Sequence, residues 1–190
     1  MSVNKIVCVG RNYVEHVKEL NNEIPSEPVY FMKPLSSVSD EITLPGYSSM
    51  HYEGEICFLI GEELKVGFGF DFTLREIQSK LKQKGLPWER AKAFKGAAVF
   101  SGFVEFNDIN TLGLEVYKNG KLVQKADVSL MMYKPEFLFE DIDRIFGLNS
   151  GDIIMTGTPK GVGVVNRSDE FEGRILEGKK VLVSKKWKVK

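Results

Sequence analysis

Short apolar runs, each closed by glycine, proline or a polar residue, recur along the chain and constrain its fold more than any other feature. They lie at residues 5–10, 29–32, 52–60, 64–72 and 152–156. A run of this length is typical of a β-strand, because helices usually need about ten residues or more. No regular helical crossover separates these runs, so the pattern predicts a β-rich α+β fold and not a doubly wound one.

One segment, 74–84, carries clear helical spacing, with an apolar residue at every third or fourth position. Thr73 is suited to the N-cap of this helix, and Glu76 stands three residues later, where it would complete a capping box. Gly85 is expected to end the helix.

Two further segments, 13–20 and 135–146, predict helices. The predicted core side of the second comprises Phe137, Leu138, Ile142, Ile145 and Phe146. Between two extended segments stands Asn119-Gly120, which predicts a hairpin with a type I′ turn.

The other segments predict irregular or extended structure. Residues 21–28 predict a loop, 36–49 a turn-rich segment with a short I-T-L strand inside it, and 91–106 an irregular stretch that ends in a strand. Gly67 and Gly69 indicate a bend or bulge in the strand that contains them.

Composition excludes several classes of protein. Of the 190 residues 43% are hydrophobic, enough for the core of a single domain over residues 1–190, and the formal net charge of +0 gives no basic field for nucleic acid. Cys8 and Cys57 lie inside apolar runs, which indicates buried thiols and neither a disulfide framework nor a zinc site. No segment predicts a secretory signal or a membrane span, so we expect a cytoplasmic protein.

Two glutamates, Glu53 and Glu55, stand two residues apart on a predicted strand and therefore share a face. Like charges this close need water, a basic partner or a cation, and a strand end in solvent is one solution. Asp71 ends another extended segment. Three carboxylates without a thiolate would suit Mg²⁺, Mn²⁺ or Ca²⁺.

A second candidate pair is His16 and Glu19, which can touch across one turn of the first helix. A carboxylate beside an imidazole suits a general base, although a surface histidine with an acidic neighbour would show the same spacing.

Lys92 and Lys95 are alternative fixed positive charges for an anionic substrate. The loop 156–163 can present backbone N–H groups to an anion or be a plain glycine-rich turn, and it is not a Walker A loop.

Six stretches, in order, closely resemble the fumarylacetoacetate hydrolase family. They are V7-C-V-G-R-N-Y-V-E-H-V-K-E-L20, F31-M-K-P34, H51-Y-E-G-E55, D71-F-T-L-R-E-I-Q78, K84-G-L-P-W-E-R-A-K-A-F94 and G151-D-I-I-M-T-G-T-P-K-G-V-G163. The resemblance spans nearly the whole chain. It implies a mixed β-sheet roll with a few short helices, and a homodimer.

The resemblance also implies roles for particular residues, because these positions match the family's motifs. Glu53, Glu55 and Asp71 match the ligands of a divalent cation, Mg²⁺ or Mn²⁺, with Ca²⁺ as a substitute in vitro. His16 and Glu19 match a catalytic pair on a helix near residues 13–20 that acts as a mobile lid, and Lys92 matches a catalytic lysine. The matched substrate-binding positions are Arg11, Tyr13, Gln78 and Thr158.

Three functions are compatible with these matches. The first is metal-dependent hydrolysis of a C–C bond in acylpyruvate-like diketo acids, or decarboxylation of oxaloacetate-like acids, through a metal-stabilised enolate. The second is an isomerase or tautomerase of 2-hydroxy-dienoate or 2-oxo-enoate acids, and the third a non-catalytic binder of metal and oxo acid. Residues 56–70 are shorter than the family's usual connection, which carries a short helix, so the family's dimer contacts and pocket rim there are not carried over.

Overall fold

The computed structural model describes residues 4–20 and 23–190, and within them strands greatly outnumber helices, as the short apolar runs predict. The strands are β1 Ile6–Gly10, β2 Val29–Lys33, β3 Met50–Tyr52, β4 Gly54–Leu59, β5 Lys65–Asp71, β6 Thr73–Leu74, β7 Ala98–Phe100, β8 Leu112–Lys118, β9 Lys121–Asp127, β10 Ile153–Met155, β11 Gly163–Val164, β12 Glu170–Glu177 and β13 Lys180–Lys188. The α-helices are α1 Val14–Glu19, α2 Arg75–Gln83, α3 Glu89–Lys92 and α4 Pro135–Phe146.

The strands form three sheets whose order is not the order of the chain. The largest runs β2-β1-β10-β4-β5-β7, a smaller one runs β11-β3-β6, and a four-stranded one runs β13-β12-β8-β9. β1 and β10 pair in parallel while β10 and β4 are antiparallel, so the large sheet is mixed. The predicted β-rich α+β fold with a mixed sheet is therefore confirmed.

The main core lies where β4 and β5 of the large sheet pack against β8 and β12 of the four-stranded sheet. Two glycines permit this close approach. A Cβ at Gly54 would lie 2.5 Å from Cγ2 of Val116, and a Cβ at Gly173 would lie 2.2 Å from the ring of Phe68. A side chain at either glycine would collide with its partner and displace it.

Several predicted elements are confirmed. Asn119 and Gly120 both have positive φ, 51° and 78°, as a type I′ turn requires.

α4 has the predicted bounds, but only Leu138 and Ile142 of its predicted core side are buried. The predicted burial of Phe137, Ile145 and Phe146 is wrong, since they are 46%, 49% and 38% exposed. The adjacent sheet covers only part of the apolar face of α4.

The predicted capping box of α2 is wrong. The helix begins at Arg75, and no side chain caps it. Thr73 lies in β6 instead, and its hydroxyl accepts a hydrogen bond of 2.6 Å from Nζ of Lys92. Gly85, with φ of +62°, follows the end of the helix as predicted.

Of the bend or bulge predicted at Gly67 and Gly69, a bulge between β4 and β5 is absent, because these two strands stay in register throughout their ladder. The two glycines leave room for neighbours: a Cβ at Gly67 would lie 2.8 Å from the ring of Phe103, and one at Gly69 would lie 2.7 Å from Sγ of Cys57.

Two other segments differ from the predictions, and a third agrees with its prediction where it is described. Residues 42–44 form no strand, and 91–106 begin within the unpredicted helix α3 before β7. Of the predicted loop 21–28, residues 21 and 22 lie outside the described residues, and 23–28 contain neither helix nor strand. None of the helices in residues 4–20 and 23–190 is long and apolar enough to cross a bilayer.

Candidate active site

Three buried carboxylates meet where β4 and β5 pair. The predicted strand 52–60 breaks at Glu53, which separates β3 from β4, whereas Glu55 lies within β4 and Asp71 ends β5. The backbone N–H of Asp71 donates to the carbonyl of Glu53 at 2.9 Å, so the two residues face each other. One carboxylate oxygen from each of the three lies within 4.8 Å of the others, and the residues are only 5%, 2% and 1% exposed.

Lys92 lies between two of these carboxylates. Its Nζ is 2.8 Å from Oε2 of Glu53 and 2.6 Å from Oδ2 of Asp71. Burial would raise the pKa of Glu53, but Lys92 and Arg75 outweigh it and hold that pKa well below its usual range. Burial would likewise lower the pKa of Lys92, but Asp71 and Glu53 raise it, so the ammonium is firmly charged. Lys95, the sequence alternative, makes no ion pair within the described residues.

Two further cations complete this network and were not predicted. Nζ of the buried Lys33 is 2.7 Å from Oδ1 of Asp71, and it also donates to the carbonyl of Lys92. Arg75 pairs with Glu53 and donates to Oε1 of Gln78 at 2.8 Å. The F-M-K-P stretch contains Lys33, and Arg75 stands at the first position of α2. Both residues lie in stretches that resemble the family's motifs, but no local pattern indicates that they contact the carboxylates.

Glu55 differs from the other two carboxylates. Its Oε2 accepts a hydrogen bond of 2.8 Å from the backbone N–H of Gly157, and no basic side chain in the described part of the chain lies within ion-pair distance of it. Burial and the neighbouring Asp71 carboxylate raise the pKa of Glu55 well above its usual range. In the described part of the chain, Glu55 thus lacks the direct counter-charge that Glu53 and Asp71 have.

These features fit a divalent cation. The donor atoms are all carboxylate oxygens, which Mg²⁺ and Mn²⁺ prefer over softer ligands. A bound cation would also supply the counter-charge that Glu55 lacks. Glu53, Glu55 and Asp71 are the residues that would hold it.

His16 lies on α1, and its Nδ1 is 3.2 Å from Oε2 of Glu19. Burial lowers the pKa of His16 more than Glu53 and Glu19 raise it, so the imidazole is neutral near pH 7. With Nδ1–H donated to Glu19, Nε2 is left free to accept a proton. Both carboxylate oxygens of Glu19 also accept from the backbone N–H of Gly161, at 3.0 and 3.2 Å, which ties α1 to the 157–163 loop.

A small cavity of about 30 Å³ brings most of the predicted site residues together. The three carboxylates line it, and so do Arg11, His16, Gln78, Lys92 and Thr158. Two predicted residues are not in its lining. Glu19 reaches it only through His16, and Tyr13 packs within the main core at 2% exposure.

Thr158 and the unpredicted Gln124 brace the backbone between the two glutamates. The hydroxyl of Thr158 donates to the carbonyl of Gly54 at 2.9 Å and accepts from Nε2 of Gln124 at 2.9 Å. Oε1 of Gln124 accepts from the N–H of Gly54 at 3.0 Å. Gln124 comes from β9, so the four-stranded sheet helps to fix the E-G-E segment. Nothing in the sequence around Gln124 indicated this contact.

The chain is similar to known proteins over nearly its whole length. The family described as fumarylacetoacetate (FAA) hydrolase C-terminal matches residues 5–186. Oxaloacetate tautomerase YcgM from Escherichia coli (strain K12) is 37% identical over 199 aligned residues, covering 92% of this chain and 91% of that protein. A mitochondrial oxaloacetate decarboxylase from Dictyostelium discoideum is 40% identical over 182 residues, covering 85% and 84%.

A solved structure extends the similarity to the fold. The crystal structure of fumarylpyruvate hydrolase from Pseudomonas aeruginosa, in complex with Mn²⁺ and pyruvate, gives a TM-score of 0.88 at 28% identity. The similarity covers 98% of this chain and 89% of that one. A family match over nearly the whole length, together with relatives above one third identity, shows that this chain belongs to the fumarylacetoacetate hydrolase family.

Proposed function

We propose that the chain is a Mg²⁺- or Mn²⁺-dependent enzyme that acts on oxaloacetate-like 2-oxo acids through their enolate. The observation that carries this proposal is the buried cluster of Glu53, Glu55 and Asp71 beside a neutral His16 in one cavity. Relatives named oxaloacetate tautomerase and oxaloacetate decarboxylase support the substrate class. Tautomerisation passes through the enolate of oxaloacetate and decarboxylation through the enolate of pyruvate; both develop negative charge on the oxygen at C2, so one site can serve either.

The chain's own residues have distinct tasks in this chemistry. When bound, the cation supplies Lewis-acid stabilisation of the enolate. In tautomerisation, Nε2 of His16 takes a proton from C3 of the keto acid and returns it at the oxygen on C2, while Glu19 orients the imidazole. Lys92 places a fixed positive charge where the enolate develops.

In decarboxylation, the bond between C3 and C4 breaks, its electron pair forms the enolate, and CO₂ leaves. A proton from His16 or water then converts the enolate to pyruvate. The requirement on the chain is the same: a held charge at Lys92 and a proton carrier at His16.

Hydrolysis of acylpyruvate-like acids is a second candidate, favoured by the fold similarity to fumarylpyruvate hydrolase. The pair of His16 and Glu19 would deprotonate a water that attacks the distal carbonyl, and the C–C bond would then break to give the same enolate. Isomerisation of 2-hydroxy-dienoate acids needs the proton transfer alone. A non-catalytic binder would have no use for a neutral imidazole in the cavity.

The test is an assay of the purified protein with Mg²⁺ or Mn²⁺ on oxaloacetate, acetylpyruvate and a hydroxydienoate. Keto–enol absorbance and pyruvate release are followed separately. We expect turnover of oxaloacetate that His16→Ala reduces about 100-fold or more, a typical contribution of general acid–base catalysis. The matched control is His51→Gln, because His51 is outside the cavity lining. Equal turnover by wild type and His16→Ala would refute the role of His16.

We further propose that residues 1–190 form one catalytic domain, and that α1 is its lid. α1 contributes His16 to the lining of the small cavity and is tied to the 157–163 loop through Glu19, and we propose that it moves to admit substrate. The homodimer is also a proposal, and sedimentation equilibrium tests it.

A further inference from the structure

Two cations that line the cavity have no carboxylate partner. In the part of the chain that the structure describes, neither Arg11 nor Lys82 has an acidic oxygen within ion-pair distance. By contrast, Lys92 and Arg75 in the same cavity are paired with Glu53. Unpaired basic groups in a small cavity repel each other, which costs stability unless an anion binds between them.

Arg11 is held there by an unusual backbone conformation. It has φ of 59°, the left-handed region that a residue with a long side chain rarely adopts. Its Nε is buried and has no hydrogen-bond partner. Strain of this kind costs of the order of 1–3 kcal/mol, and it is typical of residues that hold a ligand.

Lys82 reaches the same cavity from α2, and its position is also fixed. Its Nζ lies 5.0 Å from the ring centroid of Trp88, so the indole forms a platform under the ammonium. Burial, and after it the Arg11 guanidinium, lowers the pKa of Lys82 to about 8. Both cations therefore line one cavity, and the charge of Arg11 contributes to the lowered pKa of Lys82.

We propose that Lys82 and Arg11 form an anion subsite for the second carboxylate of a dicarboxylic 2-oxo acid. This inference rests on the proposed function, since the first carboxylate and the keto oxygen would lie at the cluster of Glu53, Glu55 and Asp71. The subsite selects four-carbon dicarboxylates of the oxaloacetate type over acylpyruvates with an uncharged distal end, such as acetylpyruvate. Lys82 is thus a specificity-determining residue that acts on the end of the substrate away from the cation.

Two unreactive ligands test the subsite without turnover. L-Malate and L-lactate both offer a 2-hydroxy acid to a cation, but only malate carries a second carboxylate. We expect the Mn²⁺-loaded protein to bind malate more tightly in calorimetric titration. Lys82→Met should weaken malate binding about 10- to 100-fold, the range expected when a charged hydrogen bond is lost, and change lactate binding less than about 3-fold.

Matched variants separate the subsite from general effects of charge. Lys80→Met removes a lysine from the exposed side of the same helix and should leave the preference for malate intact. Lys82→Arg should retain it. Arg11→Asn, chosen because asparagine tolerates the left-handed conformation, should reduce it as Lys82→Met does. Equal losses for malate and lactate in Lys82→Met, or equal effects of Lys80→Met and Lys82→Met, would overturn the subsite.

A kinetic pair distinguishes failure of this inference from failure of the proposed function. Oxaloacetate and its C4 methyl ester differ in the distal charge, and because the ester has no free C4 carboxylate to lose as CO₂, the two are compared by keto–enol absorbance alone. We expect Lys82→Met to lower kcat/KM for oxaloacetate about 10- to 100-fold and for the ester less than about 3-fold. Equal loss on both substrates refutes the subsite but leaves the enzyme's function in place. If wild type turns over neither, the proposed function fails, and the malate and lactate titrations still decide the subsite.

Discussion

Glu55 carries the least compensated charge in the active site, because its only polar contact in the described residues is the N–H of Gly157. Its raised pKa means that the folded protein holds a proton more tightly than the unfolded chain. Stability contributed by this group is therefore lost as pH rises above the usual range for a glutamate. This group therefore stabilises the metal-free protein less at neutral pH than at acid pH.

We predict that Glu55→Gln stabilises the metal-free protein and weakens metal binding. The amide oxygen of glutamine can still accept from Gly157, whereas the buried charge is gone. Unfolding in urea with chelator should give a higher midpoint than wild type at pH 7.5. Titration with Mn²⁺ should show an affinity at least about 10-fold lower, since even groups outside the metal's ligands have effects of this size. A variant that is less stable without metal would contradict this view of Glu55.

For Lys92→Met we predict the opposite effects on stability and on metal binding. Its ammonium neutralises Glu53 and Asp71, so Lys92→Met leaves the cluster more negative. We expect lower stability without metal, by about 3–5 kcal/mol for a broken buried ion pair, and tighter Mn²⁺ binding. Turnover of oxaloacetate should nevertheless fall. Lys95→Met is the control, and it should change none of the three quantities; weaker Mn²⁺ binding by Lys92→Met would contradict the prediction.

The sequence predicted single residues well where one strand or one turn brings them together. Glu53 and Glu55 stand two residues apart at the start of β4, and His16 and Glu19 stand three residues apart on α1, so the proximity within each pair follows from spacing. Lys33 and Arg75 reach the carboxylates from other elements. Their contacts depend on tertiary packing that no local pattern encodes.

At the scale of elements, α1 couples the proposed base to the proposed lid, because the side chain of Glu19 contacts both His16 and the 157–163 loop. Glu19 accepts from His16 and from the backbone of Gly161. We predict that Glu19→Gln lowers the pKa of His16 further, since it removes a charge and a hydrogen bond that both raise it. The acid limb of the rate profile should move to lower pH, and kcat should fall because the base is weaker.

Only two histidines occur in the chain, so NMR titration of their ring resonances tests this directly. The pKa of His51 is lowered by burial and then by Arg75, with no contribution from Glu19. It therefore serves as an internal control within the same sample. An unchanged titration of His16 in Glu19→Gln would show that the contact does not tune the imidazole.

The start of α2 shows how a site can override a local signal. Thr73 and Glu76 have the spacing of a capping box, yet the hydroxyl of Thr73 accepts from Lys92 instead. A buried ammonium needs three acceptors, and Glu53, Asp71 and Thr73 provide them. Satisfying that buried charge outweighs the cap, which is worth only about 1 kcal/mol.

At the scale of the molecule, the class of fold followed from the sequence, but the order of the strands did not. β10 lies between β1 and β4 although nearly a hundred residues of chain separate β4 from β10. Strand length and apolar pattern predict that strands form, and they do not encode which distant strands pair. The 157–163 loop reaches Glu55 only because β10 takes this central position.

The two larger sheets pack closely behind the active site. Gly54 stands between the two glutamates, and an added Cβ would lie 2.5 Å from Cγ2 of Val116 in β8. Gly54→Ala should therefore destabilise the protein by about 1–3 kcal/mol through overpacking. It should also weaken Mn²⁺ binding, because relief of the contact displaces the strand that carries Glu55.

A double-mutant cycle with Val116→Ala tests the cause. The smaller partner makes room for the new methyl group, so the double variant should lose less free energy of unfolding than the sum of the single variants, by about 1 kcal/mol or more. Gly102→Ala is the matched control, since nothing lies within 4 Å of a Cβ there and its φ is not positive. Additive losses in the cycle would show that Gly54 acts through its own backbone, and the close approach of the sheets would then not be what positions the glutamates.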